Sequence, residues 1–126
     1  MAEKKKILIV EDNEKDLQTV IEYLQGENYE IITERNGEDA LDYMEMEKPD
    51  LIILDLILPE IDGFQICHKI NQARSYWSPK IIIITALTPV LDKFKGDWLE
   101  KTQANALLTK PVSKEELISR VKSLLE

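Results

Sequence analysis

The sequence predicts an α/β domain built on a doubly wound, five-stranded parallel sheet flanked by five helices. Three observations lead there. Apolar runs of strand length start near Lys6, Ile31, Leu51, Ile81 and Ala106 and alternate with segments of helical spacing. Several of these runs are apolar without alternation, as in strands covered on both faces, which favours a parallel sheet over an antiparallel one. At 126 residues, with no internal repeat, low-complexity tract or linker, the chain suits one domain over residues 1–126.

Each element has its own signal. The first strand, Ile7-Leu8-Ile9-Val10, ends at Glu11-Asp12. Asn13 before Glu14 is an N-cap signal, and Leu17, Val20, Ile21 and Leu24 give the first helix one apolar stripe. A second run from Ile31 and a second helical segment lead to Leu51-Ile52-Ile53-Leu54, which ends at Asp55. Pro59 and Gly63 read as turn chemistry before a third helix, with Asp62 as its N-cap. On that helix Cys67 packs as a small hydrophobe beside Phe64, Ile66 and Ile70, and His68 faces solvent.

The fourth run, Ile81 to Ile84, ends at Thr85 and precedes a helical stripe of Val90, Leu91, Phe94, Trp98 and Leu99. Two readings of that stripe stand: it faces the core, or its aromatic weight makes Phe94 and Trp98 a partner-docking surface. The fifth run, Ala106-Leu107-Leu108-Thr109, ends at Lys110-Pro111. Ser113 and Glu116 have the spacing of a capping box, and Leu117, Val121, Leu124 and Leu125 form the stripe of the last helix.

Composition narrows the function. A formal net charge of −8 disfavours a phosphate backbone as direct partner, so no nucleic-acid binding is expected. The single cysteine, Cys67, allows no intrachain disulfide, and the charged N-terminus runs into an apolar stretch too short for a signal peptide or a membrane span. A cytoplasmic location without membrane association is the expectation. The four glycines, Gly26, Gly37, Gly63 and Gly96, are scattered and form no phosphate-cradling loop, against dinucleotide or P-loop chemistry.

The decisive pattern is that Glu11-Asp12, Asp55, Thr85 and Lys110 each end an apolar run. In an open parallel sheet the carboxyl ends of the strands line one crevice, so these residues converge there. Glu11-Asp12 could simply favour the positive end of the next helix, and Lys110 could be only an ion-pair partner. An acid such as Asp55 at the end of a buried strand is costly unless paired or bound to a metal. Three carboxylates gathered in one place call for a cation, and an all-oxygen set suits Mg²⁺.

By the order and spacing of those residues, with Asp55 inside Asp55-Leu56-Ile57-Leu58-Pro59-Glu60-Ile61-Asp62-Gly63, the chain resembles the receiver domains of bacterial two-component response regulators along essentially its whole length. The resemblance implies a flavodoxin-like fold, with Asp55 as phosphoacceptor and Thr85 and Lys110 as catalytic and switch residues. It also implies Mg²⁺ held by Glu11, Asp12, Asp55 and the backbone carbonyl of Ile57, and a cis peptide at Pro111. A histidine kinase or histidine phosphotransfer protein would supply the phosphoryl group, and an effector protein would read the change. Such a domain assists its own phosphorylation and dephosphorylation without being a turnover enzyme.

Several positions depart from the family's pattern. Leu107 stands where many receivers carry Tyr or Phe, so no ring can turn inward to report the state. The stretch between Thr85 and Lys110 is about one helical turn longer than is typical. Ile57 and Leu87 flank the expected path of water and cannot orient it by hydrogen bonding, which predicts slow self-dephosphorylation. Arg120 and Glu116 match part of a charged set used in receiver dimers, but Ala106 and Thr102 occupy acid positions, so a monomer or weak dimer is expected. A phosphorylation-independent pseudo-receiver acting as a binding module is the alternative. An aspartate-nucleophile phosphatase is disfavoured, because the second acid it would need two residues after Asp55 is Ile57.

Overall fold

The computed structural model describes residues 4–86 and 98–126, with the backbone but not the side chains of Trp98 and Leu99. Five parallel strands are present: β1 (Lys5–Val10), β2 (Tyr29–Glu34), β3 (Leu51–Leu54), β4 (Lys80–Thr85) and β5 (Ala106–Thr109). They lie in the order β2-β1-β3-β4-β5. The helices among the described residues are α1 (Glu14–Leu24), α2 (Gly37–Glu47), α3 (Gly63–Gln72), α4 (Trp98–Thr102) and α5 (Lys114–Leu125). The doubly wound parallel sheet and its flanking helices are therefore as the sequence predicts. Within the stripe expected after Thr85, Val90, Leu91 and Phe94 lie outside the described residues.

Successive residues of a strand point to opposite faces, and this divides the apolar runs between two cores. Ile7, Ile9, Leu51, Ile53, Ile82 and Ile84 face one way, beneath Leu17, Val20 and Leu24 of α1 and Leu117 and Val121 of α5. Leu8, Val10, Ile52, Leu54, Ile81 and Ile83 face the other, beneath Ala40 and Met44 of α2 and Ile66, Cys67 and Ile70 of α3. Double burial explains the unbroken runs in β1, β3 and β4. The edge strand β2 is only half-buried, and it begins at Tyr29, before its apolar residues. The Tyr29 hydroxyl donates to Glu126 Oε2 at 2.6 Å, tying that edge to the end of α5.

Caps fix where the helices start. Asn13 accepts from the Asp16 N–H at 2.9 Å and Ser113 Oγ from the Glu116 N–H at 3.1 Å. The full reciprocal box stands at α3: Asp62 accepts from the Gln65 N–H while Gln65 Oε1 accepts from the Asp62 N–H, each at 3.0 Å. Cys67 is fully buried, and desolvation pushes its thiol up to about 12, leaving it inert at neutral pH.

Gly63 does something other than turn chemistry. It is the first residue of α3, and a Cβ there would lie 2.5 Å from Leu56 Cα and 2.8 Å from the Asp55 carbonyl oxygen. Its N–H also donates to the Leu56 carbonyl at 2.9 Å. The helix start is thus pressed against the segment that carries Asp55, and only a residue without a side chain permits it. We expect Gly63→Ala to lose about 2 kcal/mol or more of stability, the cost of forcing backbone apart in a close-packed region. Denaturant unfolding checks this, and a loss below half that value would contradict the close-approach account.

Candidate functional site

Strand register assembles the site. Val10 of β1 lies opposite Leu54 of β3, and the Asp55 N–H donates to the Val10 carbonyl at 3.1 Å, so Glu11 and Asp55 emerge side by side. Leu54 lies opposite Ile83 of β4, which brings the end of β4, Thr85, to the same edge. Thr85 pairs with Thr109, and the Lys110 N–H donates to the Thr85 carbonyl at 3.0 Å. Residues nearly a hundred positions apart therefore meet in the crevice where the strand order reverses, between β1 and β3.

Both Asp55 oxygens are engaged. Oδ1 accepts from Thr85 Oγ1 at 2.9 Å and from the Ile57 N–H at 3.0 Å, while Oδ2 accepts from Lys110 Nζ at 2.8 Å. The same ammonium donates to Glu11 Oε1 at 2.7 Å and Asp16 Oδ2 at 2.8 Å, which uses all three of its protons. Glu11 Oε2 accepts from the Asn13 N–H at 3.1 Å. Asp55, Glu11 and Thr85 are buried, Asp12 is exposed, and among the described residues no buried side-chain polar atom lacks a partner.

Burial sets the electrostatics. Desolvation raises the Glu11 carboxyl, with the Asp55 charge adding to it, against the opposing hydrogen bonds from Lys110 and Asn13. For Lys110 burial alone would lower the ammonium, but hydrogen bonds to Asp16, Asp55 and Glu11 outweigh it and the net direction is upward.

Carboxylate oxygens of Glu11, Asp12 and Asp55 lie within 4.8 Å of one another, a set able to hold a cation. The sequence-predicted residues Glu11, Asp12, Asp55, Thr85 and Lys110 share the crevice, with Ile57, a residue 53% exposed, at its rim. The Lys110–Pro111 peptide is cis. Leu107 is half-buried and packs against the core beneath α2 and α3. Phe94 and the Trp98 side chain lie outside the described residues. Ala106 and Thr102 are buried.

Sequence reasoning missed Asp16. It sits in the first turn of α1, where an acid is ordinarily explained by the helix dipole. The available signal was its position one helical turn beyond Asp12, which returns it to the same side of the helix start. Beside it, a cavity of about 330 Å³ is lined by Asp16, Asp55 and Lys110 together with Val20, Tyr23 and Val112.

Removing the ammonium leaves the buried acids without a compensating positive charge. In chelator, Lys110→Met is expected to cost about 2 kcal/mol at pH 7.5, below the full buried-pair figure because Asp16 is partly exposed. An acid whose folded pKa is raised binds protons more readily in the fold, so that cost should shrink as pH falls toward 5. In the parent, Lys110 stabilises fully below the unfolded lysine value of about 10.4 and loses that contribution as pH rises above it. Unfolding curves against pH check both, and a pH-independent cost would contradict the coupling.

Comparison with known proteins agrees with this arrangement. The profile described as "Response regulator receiver domain" matches residues 7–122. The chain is 40% identical over 122 residues to the alkaline phosphatase synthesis transcriptional regulatory protein PhoP of Bacillus subtilis, covering 96% of this chain and 48% of that protein. It is 45% identical over 121 residues to the response regulator ArlR of Staphylococcus aureus, covering 94% and 52%. It thus spans about half the length of these curated relatives. Among solved structures, the chemotaxis protein CheY4 of Vibrio cholerae superposes with a TM-score of 0.82 at 28% identity, over 98% of this chain and 100% of that one. The BeF3-activated receiver domain of DrrB, from Thermotoga maritima, gives a TM-score of 0.81 at 32% identity over 98% of each. A match that runs from the first strand into the last helix of a CheY-like, flavodoxin-like fold means that the chain belongs to the response regulator receiver domains of two-component systems.

Proposed function

We propose that this chain accepts a phosphoryl group on Asp55 from a histidine kinase or histidine phosphotransfer protein in a Mg²⁺-dependent reaction, and so changes its preference for an effector protein. The observation that carries the reading is the Asp55 carboxylate, buried at a strand end beside a second buried acid, with donors on both oxygens. An Asp55 oxygen would attack the phosphorus of a phosphohistidine; the new O–P bond forms as the N–P bond breaks, and the imidazole leaves with that electron pair. Little covalent help is needed beyond this, so positioning and charge stabilisation dominate. Lys110 would move from a carboxylate oxygen to a phosphoryl oxygen, and Thr85 would donate to another.

Glu11, Asp12 and Asp55 are an all-oxygen, hard donor set and fit Mg²⁺, with the Ile57 backbone carbonyl as a further ligand by family resemblance. When bound, the ion would neutralise charge on the phosphoryl oxygens. Receiver domains of response regulators are generally not turnover enzymes, and this site has the same limit, because Ile57 stands where a second acid would be needed. The exposed Ile57 side chain can neither orient nor activate water, which favours a long-lived acyl phosphate. Without an aromatic at Leu107, the change would pass through Leu107 packing and the segment after Thr85.

Among the described residues no helix is long and apolar enough to cross a membrane. We read the chain as one cytoplasmic domain, a monomer or weak dimer. Its net charge of −8 argues that it does not itself contact nucleic acid.

Incubation with Mg²⁺ and a small acyl-phosphate donor, followed by intact mass, tests the reading. One phosphoryl group should add to the parent, and none to Asp55→Asn or to a chelated sample. On Ile57→Asn the group should decay about tenfold faster, well short of full general-base help. No addition from either the small donor or a phosphorylated histidine kinase would contradict phosphoacceptor chemistry and turn attention to a phosphorylation-independent binding module.

A further inference from the structure

Lys110 has three carboxylate partners, and two of them, Glu11 and Asp55, belong to the set able to hold a cation. Asp16 is the third and stands outside that set. Its position is fixed by the fold: the Asp16 N–H donates to the Asn13 cap, and its carboxylate reaches Lys110 across 94 residues of sequence. Its side chain is 40% exposed, so water still reaches its carboxylate, unlike those of the two buried acids.

A divalent cation beside Glu11 and Asp55 would repel the ammonium and take up oxygens that it uses. Asp16 is the partner that remains. We propose that Asp16 is a positioning residue that holds Lys110 beside Asp55 when the acidic cluster fills, and that it gives up the ammonium to a phosphoryl group on Asp55. This rests on the phosphoacceptor reading above. Two consequences of opposite sign follow. Without the Asp16 charge, Lys110 settles more firmly on Glu11 and Asp55 and opposes the cation. Once the cation is bound, however, the phosphoryl group meets no competing carboxylate for Lys110 and one fewer nearby negative charge.

The test compares the full chain with Asp16→Asn and Asp16→Glu. Mg²⁺ affinity is measured by calorimetry, and beryllofluoride affinity at saturating Mg²⁺ by fluorine NMR. Asp16→Asn should bind Mg²⁺ about three- to fivefold more weakly and beryllofluoride about three- to fivefold more tightly, the scale of a half-exposed ion pair. Asp16→Glu should return both toward the parent. A merely structural role would weaken both together, so parallel losses overturn the proposal. So does a parent that binds both probes while Asp16→Asn changes neither, an outcome that leaves the phosphoacceptor reading intact. A parent that binds neither probe fails that reading first, and this inference with it.

Discussion

The site depends on one ammonium. Lys110 Nζ lies 2.7 to 2.8 Å from carboxylate oxygens of Glu11, Asp16 and Asp55, contributed by the end of β1, the first turn of α1 and the end of β3. Gathering these acids in a buried crevice is unfavourable without a cation. Lys110 supplies that charge from the far edge strand, β5, through a loop whose backbone is held to Thr85. The same contacts make the site responsive: any second cation or new anion placed there must redistribute the three bonds of one group.

Much of this was legible in the chain. Four of the five apolar runs ended in a residue with chemistry, and in a parallel sheet the carboxyl ends of the strands lie along one edge. Reading Glu11, Asp12, Asp55, Thr85 and Lys110 together therefore needed no contact information. The double burial of Ile7 to Val10, Leu51 to Leu54 and Ile81 to Ile84 was visible as unbroken hydrophobicity, since both sides of those strands meet helices. The edge strand β2 was legible only from Ile31, because the exposed Glu30 separates the half-buried Tyr29 from the apolar run that follows.

What the sequence hid were side-chain choices among equals. Asp16 is one of several acids near the start of α1, and only the path of the Lys110 side chain singles it out. Gly63 resembles an ordinary turn glycine until α3 is seen to start against the backbone of Asp55 and Leu56. The reciprocal box at Asp62 and Gln65 escaped because Gln65 was not read as a capping partner, whereas at Ser113 and Glu116, where the spacing suggests a box, the cap is the single bond from the Glu116 N–H to Ser113 Oγ. In each case periodicity identified the element, and packing between elements decided the role.

At the ends of β1 and β3, next to Lys110, Glu11, Asp12 and Asp55 lie close enough together to hold a divalent cation jointly. Paramagnetic broadening by Mn²⁺ in amide NMR spectra tests it most directly. Substoichiometric Mn²⁺ is expected to erase the signals of Asp12, Asp55 and Ile57 while those of Met46 and Tyr76, near the opposite ends of the strands, stay sharp. Broadening centred on other acids, such as Glu45 and Glu47, or no localised broadening at all, would contradict it.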